Sequence, residues 1–250
     1  MEDMRGNLHA SAGAGERRRG IGLQTARELG KEGFIVVLGV RDPGKGEAAL
    51  AELRAAKIDA ELVAYDATRP ETDEQVRAYL EKKYGRLDVL VNNAGIAREQ
   101  LFGQANAATV PQDVLRETFE TNVFAVIRLT QALLPLLHKS PAGRIVNLSS
   151  ILGSLGVHSA DGSPLAQAKA LAYNASKSAL NAFTVHLADQ LRGTPIKVNS
   201  AHPGWVKTEL GGPGAPMELA DSAKTSVRLA TLGPAGPTGG FFHENDRLPW

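Results

Sequence analysis

Residues 34–40 read Phe-Ile-Val-Val-Leu-Gly-Val, a continuous apolar run with the length of one β-strand. A strand that is apolar on both faces is typical of a parallel sheet covered by helices on both sides. Shorter runs of this kind recur at 60–65, 89–92, 145–148 and 197–200, and helix-forming segments separate them. The sequence therefore predicts an α/β fold, a single doubly wound Rossmann-type domain with a parallel sheet and helices on both faces.

The helices are expected at 46–56, from 72 onward, at 112–138 and at 172–191. Thr72 and Gln75 have the spacing of a capping box, which predicts that Thr72 begins the second of these helices. Polar or turn-forming residues follow four of the predicted strands, namely Asp66, Asn93, Ser150 and Pro203. Ligands of open parallel sheets bind beyond the carboxyl ends of the strands, so one site is expected there.

Tyr173 and Lys177 lie four residues apart within the predicted helix 172–191, so their side chains share one face. A free phenol has a pKa of about 10, which makes it a weak acid at neutral pH. An ammonium about 4 Å away, at an effective dielectric constant of about 20, would contribute roughly 4 kcal/mol, or close to three pKa units. The pair therefore predicts an acid/base tyrosine. The alternative is a helix with an exposed tyrosine and a solvated lysine.

Five further motifs accompany this pair: residues 39–42 (GVRD), 90–95 (LVNNAG), 144–150 (RIVNLSS), 198–208 (VNSAHPGWVKT) and 239–242 (GGFF). In this order the chain resembles the short-chain dehydrogenase/reductase family over residues 20–250. Within the family it is similar to the monomeric-type carbonyl reductases and to the menthone and salutaridine reductases of plants. The resemblance implies an NADP(H)-dependent oxidoreductase that reduces a small ketone or aldehyde to an alcohol.

The resemblance also implies the roles of four catalytic residues. Tyr173 would be the general acid in reduction and the base in oxidation, and Lys177 would lower its pKa and hydrogen-bond the nicotinamide ribose. Ser150 would orient the substrate carbonyl; alternatively it caps the next turn. Asn122 would hold a water that links Lys177 to solvent; alternatively its buried amide only needs a partner.

A larger set of residues is implied to bind the cofactor. These residues would surround the phosphates, the adenosine and the nicotinamide of the cofactor. Besides Tyr173 and Lys177, they are Arg19, Gly20, Ile21, Gly22, Arg41, Asp66, Ala67, Asn93, Ala94, Gly95, Pro203, Gly204, Val206 and Thr208. NADP(H) is favoured over NAD(H) because Val40 stands where NAD enzymes place a carboxylate, and Arg41 follows it. Asp42 is expected to point away and pair with Lys45 or solvent. The alternative is a surface Arg–Asp turn without a cofactor role.

Residues 1–19 do not fit the family pattern. Residues 7–14 (NLHASAGA) are small and polar where an apolar first strand is expected, so that strand is degenerate. Gly15 and Glu16 stand where the family has Thr and Gly, and a carboxylate there would repel a pyrophosphate. Two explanations stay open: a misread start or shifted frame before residue 20, or a damaged phosphate turn. The second allows an alternative function, a non-catalytic dinucleotide-fold protein. We therefore divide the chain into an atypical segment, 1–19, and a dinucleotide-binding and catalytic domain, 20–250.

Twenty-three positions separate Ser150 from Tyr173, more than is common in the family, and the added stretch 158–167 is polar and rich in turn formers. It would either cover the helix that relatives use to dimerise or form a flap over the substrate. Residues 210–223 are expected to form a mobile loop that closes on the substrate. The apolar side chains Leu210, Met217 and Leu219 in this loop favour an apolar substrate.

Composition limits the remaining function classes. The formal net charge is +1, which argues against nucleic acid or an anionic membrane as the main partner. The chain has no cysteine, and its six histidines lack metal-ligand spacing, so no metal is assigned. No apolar run reaches the length of a membrane span, and no secretory signal is recognised. We expect a cytoplasmic protein that acts as a monomer or homodimer.

Overall fold

The computed structural model describes residues 7–11, 20–103 and 106–250, and for 7–11 it describes the backbone alone. In these described residues, eight strands form one sheet in the order β3-β2-β1-β4-β5-β6-β7-β8. Neighbouring strands are parallel except β7 and β8, which are antiparallel. The strands are β1 (Asn7–Ser11), β2 (Ile35–Val40), β3 (Ala60–Ala64), β4 (Val89–Asn92), β5 (Arg144–Leu148), β6 (Lys197–Ala201), β7 (Phe241–His243) and β8 (Asp246–Arg247).

Eight α-helices are present in the described part of the chain: α1 (Ile21–Lys31), α2 (Pro43–Ala55), α3 (Glu71–Tyr84), α4 (Gln112–Phe119), α5 (Ala125–Leu137), α6 (Leu155–Ser159), α7 (Leu171–Gln190) and α8 (Lys224–Ala230). A π-helical turn, Glu120–Phe124, joins α4 to α5, so the segment predicted as one helix has an irregular middle. Short 3₁₀ turns cover Ile151–Gly153 and Leu219–Asp221.

The core has two layers, one on each face of the sheet. On one face, residues of β2, β4 and β5 pack with Ala26 and Leu29 of α1, Leu53 of α2 and Leu229 of α8. The other face packs residues of the same strands against α3, α5 and α7. Burial on both faces explains why the strands are apolar throughout. The predicted α/β, doubly wound, Rossmann-type fold is confirmed.

The degenerate first strand occupies the centre of the sheet. The backbone of β1 pairs in parallel with β2, from Asn7 opposite Ile35 to Ser11 opposite Gly39, and on its other side with β4. Ladder hydrogen bonds come from the backbone, so a strand can form here without a Val/Ile/Leu run. Residues 12–19, which include Gly15, Glu16 and Arg19 of the predicted phosphate turn, lie outside the described residues.

The capping-box prediction at Thr72 is wrong. Helix α3 begins one residue earlier, at Glu71, and Pro70 occupies the N-cap position. The Thr72 hydroxyl instead donates to the carbonyls of Asp66, at 3.0 Å, and Arg69, at 2.7 Å. Thr72 therefore fixes the loop between β3 and α3, next to the carboxyl edge of the sheet.

Four elements were not predicted from the sequence: α6, α8, β7 and β8. Helix α6 leads into the inserted stretch and shares only its last two residues with it, and α8 contributes to the same core layer as α1. Within the described residues, no helix combines the length and apolar character that crossing a membrane requires.

Candidate active site

Tyr173 and Lys177 lie in the first two turns of α7, and both side chains are buried. The Lys177 Nζ atom is 5.6 Å from the centre of the Tyr173 ring. The predicted proximity of the two side chains is therefore confirmed, and the alternative of an exposed, solvated pair is wrong.

The pKa of Tyr173 differs from the sequence expectation. Burial disfavours the phenolate and raises the pKa of Tyr173 to about 12, and a hydrogen bond with the Ser150 side chain lowers it by less. Lys177 is not among the groups that shift the pKa of Tyr173 in this arrangement, so the expectation that Lys177 lowers this pKa stays a prediction. The Lys177 ammonium lies over the ring and donates to a backbone carbonyl, that of Leu148, at 2.8 Å.

Lys177 is a charged side chain that is almost completely buried. Burial lowers the pKa of Lys177 to about 8, because desolvation disfavours its ammonium form. The loop after β4 comes close to this group: a Cβ atom added at Gly95 would lie 3.3 Å from Nζ. A side chain at position 95 would therefore crowd the lysine.

Ser150 follows β5 and has an extended backbone. Its hydroxyl accepts a hydrogen bond of 3.2 Å from the Leu152 N–H and also contacts the Tyr173 phenol. The interpretation of Ser150 as a turn cap is therefore confirmed, and its role in orienting a substrate carbonyl stays a prediction.

Asn122 lies in the π-helical turn and is completely buried. Its carbonyl oxygen accepts from the Ile96 N–H at 2.8 Å, and its amide nitrogen donates to the Ile96 carbonyl at 2.9 Å and to the Ser176 hydroxyl at 3.0 Å. The side chain thus joins the loop after β4 to α7, as the structural interpretation expects. A water relay through Asn122 stays a prediction.

A polar network beneath the site was missed by sequence reasoning. The Asn92 amide donates to Asn147 Oδ1 at 2.8 Å, and the Asn147 amide donates to Thr184 Oγ1 at 2.8 Å. Ser200 donates to the same threonine at 2.9 Å. These bonds connect β4, β5 and β6 to α7. The available signal was an asparagine inside otherwise apolar strands, which needs a partner.

The N-terminus of α1 lies at the same end of the sheet. Gly20 precedes the helix in an extended conformation, and Ile21 is its first residue. Gly22 packs against Asn93 so closely that a Cβ atom would lie 2.5 Å from the Asn93 amide nitrogen. Such a helix start presents unpaired N–H groups and the positive end of the helix dipole.

The ends of β2 and β3 provide the next group of predicted cofactor residues. Arg41 is exposed directly after β2. Asp42 caps α2 by accepting from the N–H groups of Gly44, at 2.9 Å, and Lys45, at 3.4 Å, so it bonds to the Lys45 backbone. Its carboxylate is occupied by the helix that follows.

Asp66 and Ala67 follow β3. Burial alone would raise the pKa of Asp66, but hydrogen bonds from Thr68 and the nearby charges of Arg41 and Arg69 outweigh it, so the pKa is lowered. The Ala67 carbonyl accepts a hydrogen bond of 2.9 Å from Arg128. Asp66 is therefore an anion close to Arg41 at this edge.

The loop after β6 contains Pro203, Gly204, Val206 and Thr208, and it folds back on itself. Gly204 has a φ of +92°. Val206 forms an isolated parallel bridge with Met217, and the Thr208 hydroxyl accepts from the Gly211 N–H at 3.0 Å. These bonds hold part of the predicted closing loop, 210–223, in an ordered arrangement.

An aromatic contact joins the loop after β6 to the loop after β4. The Trp205 ring lies 4.8 Å from that of Phe102, centre to centre, and both side chains are partly exposed. Trp205 also donates to the Gly211 carbonyl at 2.7 Å. The loops after β4 and β6 therefore meet.

The inserted stretch lies beside Tyr173. Ala168 and Leu165 belong to a small apolar cluster with Tyr173, against which Ala97 and Leu101 of the loop after β4 also pack. The Gly103 N–H donates to the Gln167 carbonyl at 3.1 Å. These contacts place part of the inserted stretch against Tyr173, and the two expectations for it, a flap over the substrate or a cover of the dimerisation helix, stay predictions.

Among residues 20–103 and 106–250, no three His, Asp or Glu side chains are grouped so that they could hold a metal ion.

Comparison with known proteins gives the family. The family model described as short chain dehydrogenase matches residues 14–218. The chain is 31% identical to carbonyl reductase [NADPH] 1 of Mus musculus, with 93% of this chain and 95% of that protein covered. It is 29% identical to (−)-isopiperitenone reductase of Mentha piperita, with 92% and 95% covered.

A solved structure agrees over nearly the whole chain. The NADPH-bound carbonyl reductase from chicken fatty liver superposes with a TM-score of 0.82 at 28% identity, covering 98% of this chain and 99% of that one. The family match, the curated relatives and the shared fold confirm the resemblance drawn from the motifs. The chain belongs to the short-chain dehydrogenase/reductase family, in a branch similar to carbonyl reductases.

Proposed function

We propose that the protein is an NADP(H)-dependent oxidoreductase that reduces a ketone or aldehyde to an alcohol, with Tyr173 as the acid/base. The observation that carries the proposal is the buried pair Tyr173 and Lys177, with Ser150 hydrogen-bonded to the phenol, at the carboxyl edge of the sheet. The names of the similar carbonyl reductases, which include NADPH, support the choice of cofactor.

The described residues fit a dinucleotide. Gly22 and Gly95 are positions where a Cβ atom would meet Asn93 and Lys177, so glycine leaves the edge open for close backbone approach. Arg41 offers a guanidinium beyond β2 for a 2′-phosphate, while the Asp42 carboxylate is used in capping α2. When bound, NADPH supplies the hydride, and this chain's residues supply positioning and the proton.

The protonation state of Tyr173 suits the direction of reduction. With a pKa of about 12, the phenol is neutral at physiological pH and holds the proton that the product alkoxide needs. The Ser150 hydroxyl contacts the same phenol, so a carbonyl oxygen placed between the two would receive two hydrogen bonds. In oxidation Tyr173 would act as the base.

Lys177 has two proposed roles. Its ammonium, held by the Leu148 carbonyl, is the nearest cation to Tyr173 along α7 and would stabilise negative charge as the phenol loses its proton. It would also donate to the nicotinamide ribose. Asn122 would complete the proton path, since it fixes the loop beside Lys177.

The substrate is proposed to be a small apolar molecule. The side chains around Tyr173 are those of the apolar cluster with Leu152, Leu165 and Leu101, and the Trp205–Phe102 contact lies on neighbouring loops. An apolar ketone or aldehyde would replace water against these groups.

The proposal is tested by NADPH oxidation with a panel of aliphatic and aromatic ketones and aldehydes, for the wild type and Tyr173→Phe. Removing the hydroxyl should lower kcat about 10²- to 10⁴-fold while the Kd for NADPH stays within twofold, because the ring remains in place. NADPH binding by both proteins without turnover by either would favour a non-catalytic dinucleotide-fold protein instead.

A further inference from the structure

The first turn of α7, which carries Tyr173, is held by a carboxylate from a distant loop. The Tyr173 N–H donates to Glu99 Oε2 at 3.1 Å, and 74 positions separate the two residues. We infer that Glu99 is a positioning residue for Tyr173, a role that rests on the proposed function.

The start of α7 lacks the usual local partners. Its N-cap is Ala170, whose side chain cannot accept a hydrogen bond, and its first turn has no acidic residue. The first N–H groups of a helix have no acceptor within the helix. The next amide, that of Asn174, is already bound to the Ala170 carbonyl at 2.9 Å. Among the described residues, Glu99 therefore supplies the acceptor that the helix itself does not provide at Tyr173.

The carboxylate of Glu99 suits this place for an electrostatic reason as well. A negative charge near a helix N-terminus interacts favourably with the helix dipole, and a hydrogen bond to a charged acceptor is stronger than a neutral one. The neighbouring Arg98 is used elsewhere, in an ion pair of 2.9 Å with Glu117, where both side chains are about half exposed.

The loop that carries Glu99 is itself fixed close to the site. Ile96 is bound through both its N–H and its carbonyl to Asn122, and Ala97 and Leu101 pack against the cluster that contains Tyr173. Glu99 therefore connects a fixed loop to the backbone of the acid/base residue. Loss of this bond would let the first turn of α7 move, and small displacements of a reacting group reduce the rate strongly.

The test compares Glu99→Ala and Glu99→Gln, with Glu117→Gln as a matched control that removes a charge paired with the same loop. Three quantities are measured: hydrogen exchange of the Tyr173 amide by NMR, kcat and KM for a carbonyl substrate, and the Kd for NADPH. The alanine variant should exchange the Tyr173 amide about tenfold faster and lose about tenfold in kcat, the effect of one charge-assisted hydrogen bond. The Kd for NADPH should stay within twofold.

Glutamine retains an acceptor oxygen, so Glu99→Gln should recover most of the exchange protection and of kcat, and Glu117→Gln should match the wild type. A Tyr173 amide that exchanges equally fast with and without Glu99 would overturn the inference. So would equal losses in kcat and NADPH affinity for both Glu99 variants, since these would indicate a general structural role. A wild-type chain without carbonyl reduction would refute the proposed function instead, so the two failures are distinguishable.

Discussion

The Lys177 ammonium donates a hydrogen bond of 2.8 Å to the carbonyl of Leu148, the last residue of β5, so the cation of the site is anchored on the sheet rather than on the phenol. Its position over the Tyr173 ring, 5.6 Å from the centre, follows from this anchor. The Lys177 ammonium and the Tyr173 phenol are therefore neighbours, and burial shifts their pKa values in opposite directions: that of Tyr173 is raised and that of Lys177 is lowered.

The pH dependence of reduction should follow Lys177. Below a pH of about 8 both the ammonium and the phenol are protonated, so kcat/KM for the carbonyl should be constant. It should fall as the pH rises through about 8, because Lys177 then loses its charge while Tyr173 keeps its proton. Initial rates from pH 6 to 10, with NADPH affinity measured at each pH, check this. A profile that stays flat to pH 10 would contradict the assigned role of Lys177.

Replacing Lys177 by methionine should make the folded protein more stable at pH 7. The folded pKa of about 8 lies below the model-peptide value of 10.5, so burying the protonated lysine costs folding free energy at pH 7. Lys177→Met should raise the free energy of unfolding by about 2 kcal/mol, after allowance for the lost bond to Leu148, while carbonyl reduction is lost. The gain should shrink between pH 8 and 10.5, where the unfolded lysine also becomes neutral. Urea unfolding at pH 7 and pH 10 measures it, and a variant less stable than wild type at pH 7 would contradict the argument.

Gly22 tests the start of α1. Alanine there would place its Cβ 2.5 Å from the Asn93 side-chain amide nitrogen, so the Asn93 side chain would have to leave its position against α1. Gly22→Ala should weaken NADPH binding about tenfold or more and lower stability by about 1–3 kcal/mol. Gly233→Ala is the control, because no described atom outside its immediate neighbours lies within 4 Å of its added Cβ. Fluorescence titration with NADPH compares them, and equal affinities would refute the predicted clash.

Arg41 tests the cofactor preference. Arg41→Ala, which removes the guanidinium, should raise the KM for NADPH about tenfold. The KM for NADH should stay within twofold of the wild-type value, because only NADPH carries the 2′-phosphate. The control is Arg54→Ala, which removes one positive charge at a different exposed arginine, located in α2. If both cofactors weaken equally in Arg41→Ala, the residue has no part in the discrimination.

The asparagine network tests the support beneath the site. Asn147 is fully buried and bonds to both Asn92 and Thr184, so Asn147→Ala leaves two buried polar groups without this partner. The free energy of unfolding should fall by about 2–4 kcal/mol. Lys139→Ala, which removes an exposed ion pair with Glu81, should change it by less than about 1 kcal/mol. Chemical denaturation would contradict the prediction if the two variants lost equal stability.

The features that the sequence predicted well are periodic ones. Apolar runs of strand length predicted five of the strands, and the four-residue spacing of Tyr173 and Lys177 placed both side chains on one helix face. The same spacing did not predict their pKa values, since these depend on how deeply α7 is buried. Burial is set by the packing of the whole sheet rather than by a local pattern.

Contacts between distant segments could not be predicted. Glu99 and Tyr173 are 74 positions apart, and no local motif links a carboxylate in a loop to a helix start elsewhere. The error at Thr72 has a related cause: the capping-box pattern was present, but the hydroxyl bonds to the loop that precedes α3. Local rules describe what a side chain can do, and tertiary packing selects among the possibilities.

Trp250 connects the last strand region to α6, the helix that leads into the inserted stretch. Its ring stacks on Phe241 of β7 at 5.7 Å, and its carbonyl accepts a hydrogen bond of 2.7 Å from Gly156 in α6. The far end of the insertion is held separately, through Gln167 and Gly103. Both attachments are backbone hydrogen bonds, which do not depend on the side chains between them. Variants with other side chains in residues 158–167 are therefore expected to keep both attachments and, under the proposed function, to differ in the carbonyl compounds that they accept.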